Sequence, residues 1–267
     1  MWKKIEKSVA LCIAAILVIV ATVSGTLAYE SYIEAEWQST KNKNMKVQLV
    51  QQQRTFDAFG EATGLEPFEN DKLLVPLVAS AQYDGSNFDQ YGMPKAEGYV
   101  DQIIRVKNSG SVHAYVRVIL AVPAALDNAN EAGDKVLHWN LGNRFMPDGD
   151  FSSTNAVNTA FEDVSWKNSG TALVDGILCN LYTFTYTKPL AGGKITDAAA
   201  ITGFYLDEDV NIVDGRILLD GVDTGFHNDD VAIHVTAQAV QAYSFENAEA
   251  AFGGKDLPAN PWSEEMN

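Results

Sequence analysis

Between Tyr99 and Pro123 hydrophobic and polar residues alternate in a pattern that sets the fold class. Val100, Ile104 and Val106 fall on one side of an extended chain and Asp101, Arg105 and Lys107 on the other, the period of two expected of a half-buried strand. Asn108-Ser109-Gly110-Ser111 interrupts the run with residues that suit turns. Val112 to Val122 follows, rich in β-branched residues, and reads as a central strand. The pair is expected to form a β-hairpin at the nucleus of an antiparallel sandwich.

The same criterion places strands elsewhere. Met45 to Gln53 alternates and is the expected first strand, whereas Thr55 to Asp71 lacks a period and reads as loop. Leu73 to Ala79 is a short strand that Pro76 confines to an edge, and Tyr83 to Gly98 is rich in turn residues. Asp127 to Asp163 is the least regular region and is expected to be a long insertion over one end of the sandwich, with isolated aromatics such as Trp139. Val164 to Trp166 and Thr171 to Val174 supply one arm of a second hairpin, Asp175-Gly176 its turn and Ile177 to Thr187 the other arm. Ile201 to Leu206 is a further strand, and the acidic stretch Asp207 to Phe226 carries a small hairpin element at Arg216 to Leu219. In Val231 to Ala242, Val231, Ile233, Val235, Ala237 and Ala239 share one face while His234, Thr236 and Gln238 share the other. Glu246 to Phe252 makes a short helix that Gly253-Gly254 stops. No later segment suits a βαβ unit. The expected fold is all-β, an antiparallel jelly-roll-like sandwich with long loop insertions.

The N-terminus changes the picture from fold to address. Lys3, Lys4 and Lys7 precede an uncharged run from Ser8 to Val23, which ends at Ser24-Gly25-Thr26-Leu27-Ala28. A basic start, an apolar stretch and small residues at −3 (Thr26) and −1 (Ala28) spell a signal peptide cleaved before Tyr29. The expected organisation is therefore a helical signal peptide over 1–28, an N-terminal arm over 29–44, the sandwich over 45–253 and a polar tail over 254–267. An uncleaved signal segment would be the only membrane attachment.

Charge and cysteine content narrow the function classes. The 267-residue chain carries a formal net charge of −16, and loss of residues 1–28 leaves 16 basic against 34 acidic residues, a net of −18. Such a surface repels phosphate backbones, so nucleic acid is not an expected partner. It suits an extracellular protein kept soluble by repulsion, or one that assembles once cations screen its charge. Cys12 lies inside the N-terminal apolar run and Cys179 stands alone in a strand flanked by Ile177, Leu178 and Leu181, which makes it a packed core thiol. Arg117 lies on the face opposite Val116 and Val118 and is expected to be clamped by a carboxylate.

Candidate chemistry is sparse. The sequence has no His-Glu-x-x-His, nucleophile elbow or phosphate loop. His227 and His234 lie close enough in sequence to meet, with Asp229 or Asp230 beside them. Asp207, Asp209 and Asn211 match the first ligands of an EF-hand, but Ile212 stands where the turn demands Gly and Leu218 where a bidentate Glu belongs. A looser oxygen site for calcium remains, built from Asp207, Asp209 and Asp214; no other cofactor is expected.

Three stretches together resemble a known family. Ser24 to Tyr29 (SGTLAY), Val106 to Val118 (VKNSGSVHAYVRV) and Val235 to Phe252 (VTAQAVQAYSFENAEAAF) are similar to the TasA/camelysin-like alternate-signal exported proteins of Gram-positive bacteria. The resemblance implies secretion after cleavage by a SipW-type signal peptidase, a jelly-roll-like sandwich, and, in TasA-like members, self-association into biofilm-matrix fibres by addition of an N-terminal strand to the next subunit. On that scheme Ile33, Ala35 and Trp37 are the inward-facing side chains of the donor strand. A non-enzymatic structural protein of the cell surface is the first expectation. A surface module holding a glycan or other ligand through the 127–163 loops is the second, and a camelysin-like metallopeptidase the third.

Overall fold

The computed structural model describes residues 33–34, 45–69, 74–76, 98–140, 164–229, 231–253 and 260–262. Its strands are β1 (Ile33–Glu34), β2 (Val47–Phe56), β3 (Ala62–Pro67), β4 (Val100–Asn108), β5 (Ala114–Pro123), β6 (Leu137–Asn140), β7 (Val164–Val174), β8 (Ile177–Tyr186), β9 (Ile201–Leu206), β10 (Val210–Val213), β11 (Arg216–Leu219), β12 (Val222–His227) and β13 (His234–Gln241). The described residues also include two short helices, α1 (Ala124–Asp127) and α2 (Ala248–Phe252), and a 3₁₀ turn at Ala242–Ser244. The chain is an all-β antiparallel sandwich. One sheet has the order β1-β13-β5-β8-β7, the other β3-β2-β4-β9-β6, and a meander of β10-β11-β12 is inserted between β9 and β13.

The nesting is that of a jelly roll. β4 pairs with β9 and β5 with β8, so the consecutive strands β4 and β5 lie against the consecutive strands β9 and β8, each pair crossing from one sheet to the other. This corrects the expected β4–β5 hairpin: the two arms belong to opposite sheets. The corner between them is held by Asn108, whose Nδ2 donates to the carbonyls of Val112 (2.7 Å) and Leu190 (3.0 Å) and whose Oδ1 accepts the amide of Gly110. β5 is buried at all ten positions, which a two-stranded hairpin could not achieve; it needs β13 and β8 on its two sides and cover on both faces.

The inner faces share one core. Val106, Val116, Val118, Leu120, Phe184, Phe204, Val235 and Ala237 are fully buried in it, and Val210, Ile217 and Leu219 tie the meander to the same cluster. The outer face of the first sheet is covered too. Tyr115 packs with Ala248 and Ala251 of α2, and Ala121, Cys179 and Leu181 pack with Trp262. The polar face expected for β13 is therefore interior: His234, Thr236 and Gln238 are all buried. Part of the stretch expected to be a polar tail packs as a lid through Trp262.

Two further corrections concern regions expected to be irregular. Ala62–Pro67 is a strand paired to β2, although its sequence, ATGLEP, carries no alternating apolar face; main-chain pairing holds it at the sheet edge, helped by Leu65 against Ile103 and Ala199 and by a hydrogen bond from Gln53 to Glu66. Within the expected 127–163 insertion, Leu137–Asn140 forms β6 and pairs with β9. The second hairpin, β7–β8, turns at Asp175-Gly176 as its sequence demands, both residues having positive φ (48° and 82°). Pro76 makes an isolated parallel bridge with Leu206, and Leu74 is fully buried. The signal segment 1–28, with Thr26 and Ala28, and the adjoining Tyr29 lie outside the described residues.

Candidate functional site

The edge of the first sheet is where the N-terminal arm meets the sandwich. β13 is bonded along its whole length to β5, from His234 opposite Ala121 to Gln241 opposite Ala114. On its other side β1 pairs in parallel at two positions, Ile33 with Val235 and Glu34 with Thr236. Val235 is fully buried in the core and Thr236 is buried on the opposite face, so the strand that pairs with the arm lies deep in the sandwich. Ala35 and Trp37 of the expected donor lie outside the described residues.

A second cluster sits inside the sandwich. Asp127, the last residue of α1, has a side chain with no exposure, yet every direction around it holds a donor. Its Oδ2 accepts from Asn180 Nδ2 at 2.6 Å and from the Tyr182 hydroxyl; its Oδ1 accepts from Trp139 Nε1 at 3.2 Å and faces Lys135 Nζ at 3.5 Å. Asn180 Nδ2 also donates to Asn128 Oδ1 at 2.8 Å. Burial, then the charge and hydrogen bond of Asp127, push the Tyr182 phenol far up, so it remains a donor. A buried carboxylate without partners would be severely penalised, and this ring of donors is what makes the position tenable. Trp139, an isolated aromatic of the expected 127–163 insertion, is 1% exposed and packs edge-on against Trp166, Tyr182 and Phe184 rather than standing open to a ligand.

Sequence reasoning missed this cluster. Its one legible trace is Asn180, which occupies a core-facing position of β8 in register with Tyr182 and Phe184, where an uncompensated amide does not belong.

The outer face of the second sheet carries a chain of stacked groups. Asp207 Oδ2 bonds His138 Nε2 at 3.0 Å, His138 stacks on Tyr205 at 4.9 Å, and Tyr205 stacks on Tyr99 at 6.2 Å. Arg54 lies over both Tyr99 and Phe56 and forms a two-pronged buried pair with Asp101 at 2.8 and 2.6 Å. The bond from His138 holds the Asp207 carboxyl below its ordinary range, against the opposing effect of burial. His138 Nδ1 is buried with no hydrogen-bond partner.

Of the expected calcium ligands, Asp207 has both carboxylate oxygens bonded locally. Asp207 Oδ1 accepts the amide of Asp209 at 3.0 Å, and Asp214 shares a hairpin turn with Gly215 at positive φ. Among the described residues, no group of three or more His, Cys, Asp or Glu side chains is placed to hold a metal ion. His227 faces Asp229 and His234 faces Asp175, so each histidine has its own carboxylate neighbour. Arg117 Nε donates to Gln238 Oε1 at 2.7 Å and its guanidinium lies over the Phe252 ring, burial lowering its pKa to about 10. Burial, helped by Asp175, pushes the Cys179 thiol up to about 11, as a packed and unreactive thiol requires. Among the described residues no helix is long and apolar enough to cross a membrane.

No protein-family model matches this chain, and neither a curated protein nor a solved structure is similar to it.

Proposed function

We propose that this protein is a secreted structural subunit of the cell surface or biofilm matrix, which assembles into fibres when the N-terminal arm of one molecule adds as a strand to the β13 edge of the next. What supports the reading is the pairing of Ile33–Glu34 with Val235 and Thr236: the arm and that edge are compatible in main-chain bonding. Strand addition draws its affinity from main-chain hydrogen bonds, which any copy of the arm supplies equally. A contact in which the arm of one subunit meets the edge of another is head-to-tail and does not close on itself, so it propagates as a filament. Cleavage before Tyr29 by a SipW-type signal peptidase releases the arm at a free terminus. Cations, calcium among them, favour assembly by screening the net charge of −18 that the mature chain carries.

Negative-stain microscopy of the mature protein with and without residues 29–44 tests this, in low salt and with added calcium. Filaments are expected from the full mature chain, more abundantly with the cation, and only monomers from the truncated one. Filaments of unchanged form and number from the truncated chain would refute the mechanism.

A further inference from the structure

Cys179 is the one cysteine outside the N-terminal apolar run, so no disulfide within the sandwich ties its sheets together. The buried cluster around Asp127 brings together the groups for a different covalent tie. Lys135 lies in the segment leading into β6 of one sheet, and Asn180 lies in β8 of the other. Asp127 touches both, its Oδ1 at 3.5 Å from Lys135 Nζ and its Oδ2 at 2.6 Å from Asn180 Nδ2. We propose that Lys135 and Asn180 become joined by an intramolecular isopeptide bond, with Asp127 carrying the protons.

The step balances without any oxidant or external reactant. The Lys135 ammonium gives a proton to Asp127, and the neutral amine, swinging about its own side-chain torsions, attacks Cγ of Asn180. One N–C bond forms. The tetrahedral intermediate collapses as Asp127 returns its proton to Nδ2, the Cγ–Nδ2 bond breaks, and the nitrogen leaves as ammonia, which takes up the remaining proton of the attacking amine as ammonium.

The surroundings match each requirement. The carboxylate lies against Nδ2, the atom that must be protonated to leave, and Asn128 Oδ1 holds the same nitrogen from a second direction at 2.8 Å. Trp139 and Tyr182 fix Asp127 through hydrogen bonds and line it with aromatic surface. A dry site of this kind weakens the preference for separated ammonium and carboxylate charges and keeps out the water that would hydrolyse the amide instead. The Lys135 side chain is 26% exposed, so its stem is free to move while its amine reaches inward. The proposal does not depend on whether the arm adds to a neighbouring subunit.

Intact mass spectrometry of the denatured, secreted full chain reads the bond directly. A mass lower than the sequence value by one ammonia is expected in the wild type, the full mass in Lys135→Arg, and after proteolysis a branched peptide containing Lys135 and Asn180. The full sequence mass in the wild type would overturn the proposal. A loss of ammonia that persists in Lys135→Arg would overturn it equally, because the nitrogen would then be leaving from a different reaction.

Discussion

Single side chains in this molecule are governed by what burial does to their charge. Cys179 is 1% exposed and keeps its proton to about pH 11, so at pH 8 about a thousandth of it is thiolate. Iodoacetamide at that pH is expected to leave the folded protein unmodified and to label it fully in denaturant, as read by mass spectrometry; labelling at equal rates in both would contradict the packing described. Asp207 behaves in the opposite sense. Its hydrogen bond from His138 lowers its pKa below the ordinary 3.8, so the stability this contact contributes is present above that value and is lost as pH falls through the depressed one. Urea midpoints measured from about pH 5 down to pH 2 are therefore expected to fall less steeply in Asp207→Asn than in the wild type. Of these two environments the sequence disclosed only the first, since apolar neighbours flank Cys179 directly. The partner of Asp207 is 69 positions away, and only the β6–β9 pairing brings His138 beside it.

At the scale of strands, the alternation of side chains specifies faces but not neighbours. That is why the members of the sandwich were legible while the β4–β5 pair was assigned to one sheet: Val100 to Val106 alternates identically whether its partner is β5 or β9. The turn chemistry was more informative. Asp-Gly recurs at 175–176, 214–215 and 220–221, each time with both residues at positive φ and each time joining two antiparallel strands. The strand β3 escaped notice for the converse reason, its sequence having no apolar face to display. Pairing across β4 and β9 also demands a glycine: a Cβ on Gly203 would lie 2.5 Å from the Val100 carbonyl oxygen and 2.6 Å from the Tyr99 ring. Gly203→Ala is expected to cost about 1–3 kcal/mol through forced displacement of that strand pair, measurable as a lowered urea midpoint, whereas an unchanged midpoint would mean that the two strands can part without penalty.

For the whole molecule, the proposed function rests on an edge rather than on a cleft. The sandwich supplies a deep receiving strand, β13, and the chain's own N-terminal segment pairs with it at Val235 and Thr236. On the proposed reading, the acidic surface would hold subunits apart until salt screens it, and at physiological ionic strength screening acts beyond about 8 Å. The family resemblance, rather than any periodicity, singled out the N-terminal arm as a strand donor, and the edge with which Ile33–Glu34 pairs within the chain emerged only from the topology. The most direct measurement mixes two mature variants in a Cys179→Ala background, so that each has a single cysteine, one carrying Glu34→Cys and the other Thr236→Cys, with the double variant run alongside, under oxidising conditions, and resolves the products by non-reducing electrophoresis. Addition of the arm to a second subunit predicts a disulfide-linked dimer that forms only in the mixture; linkage confined to the double variant as a monomer, with none in the mixture, would contradict it.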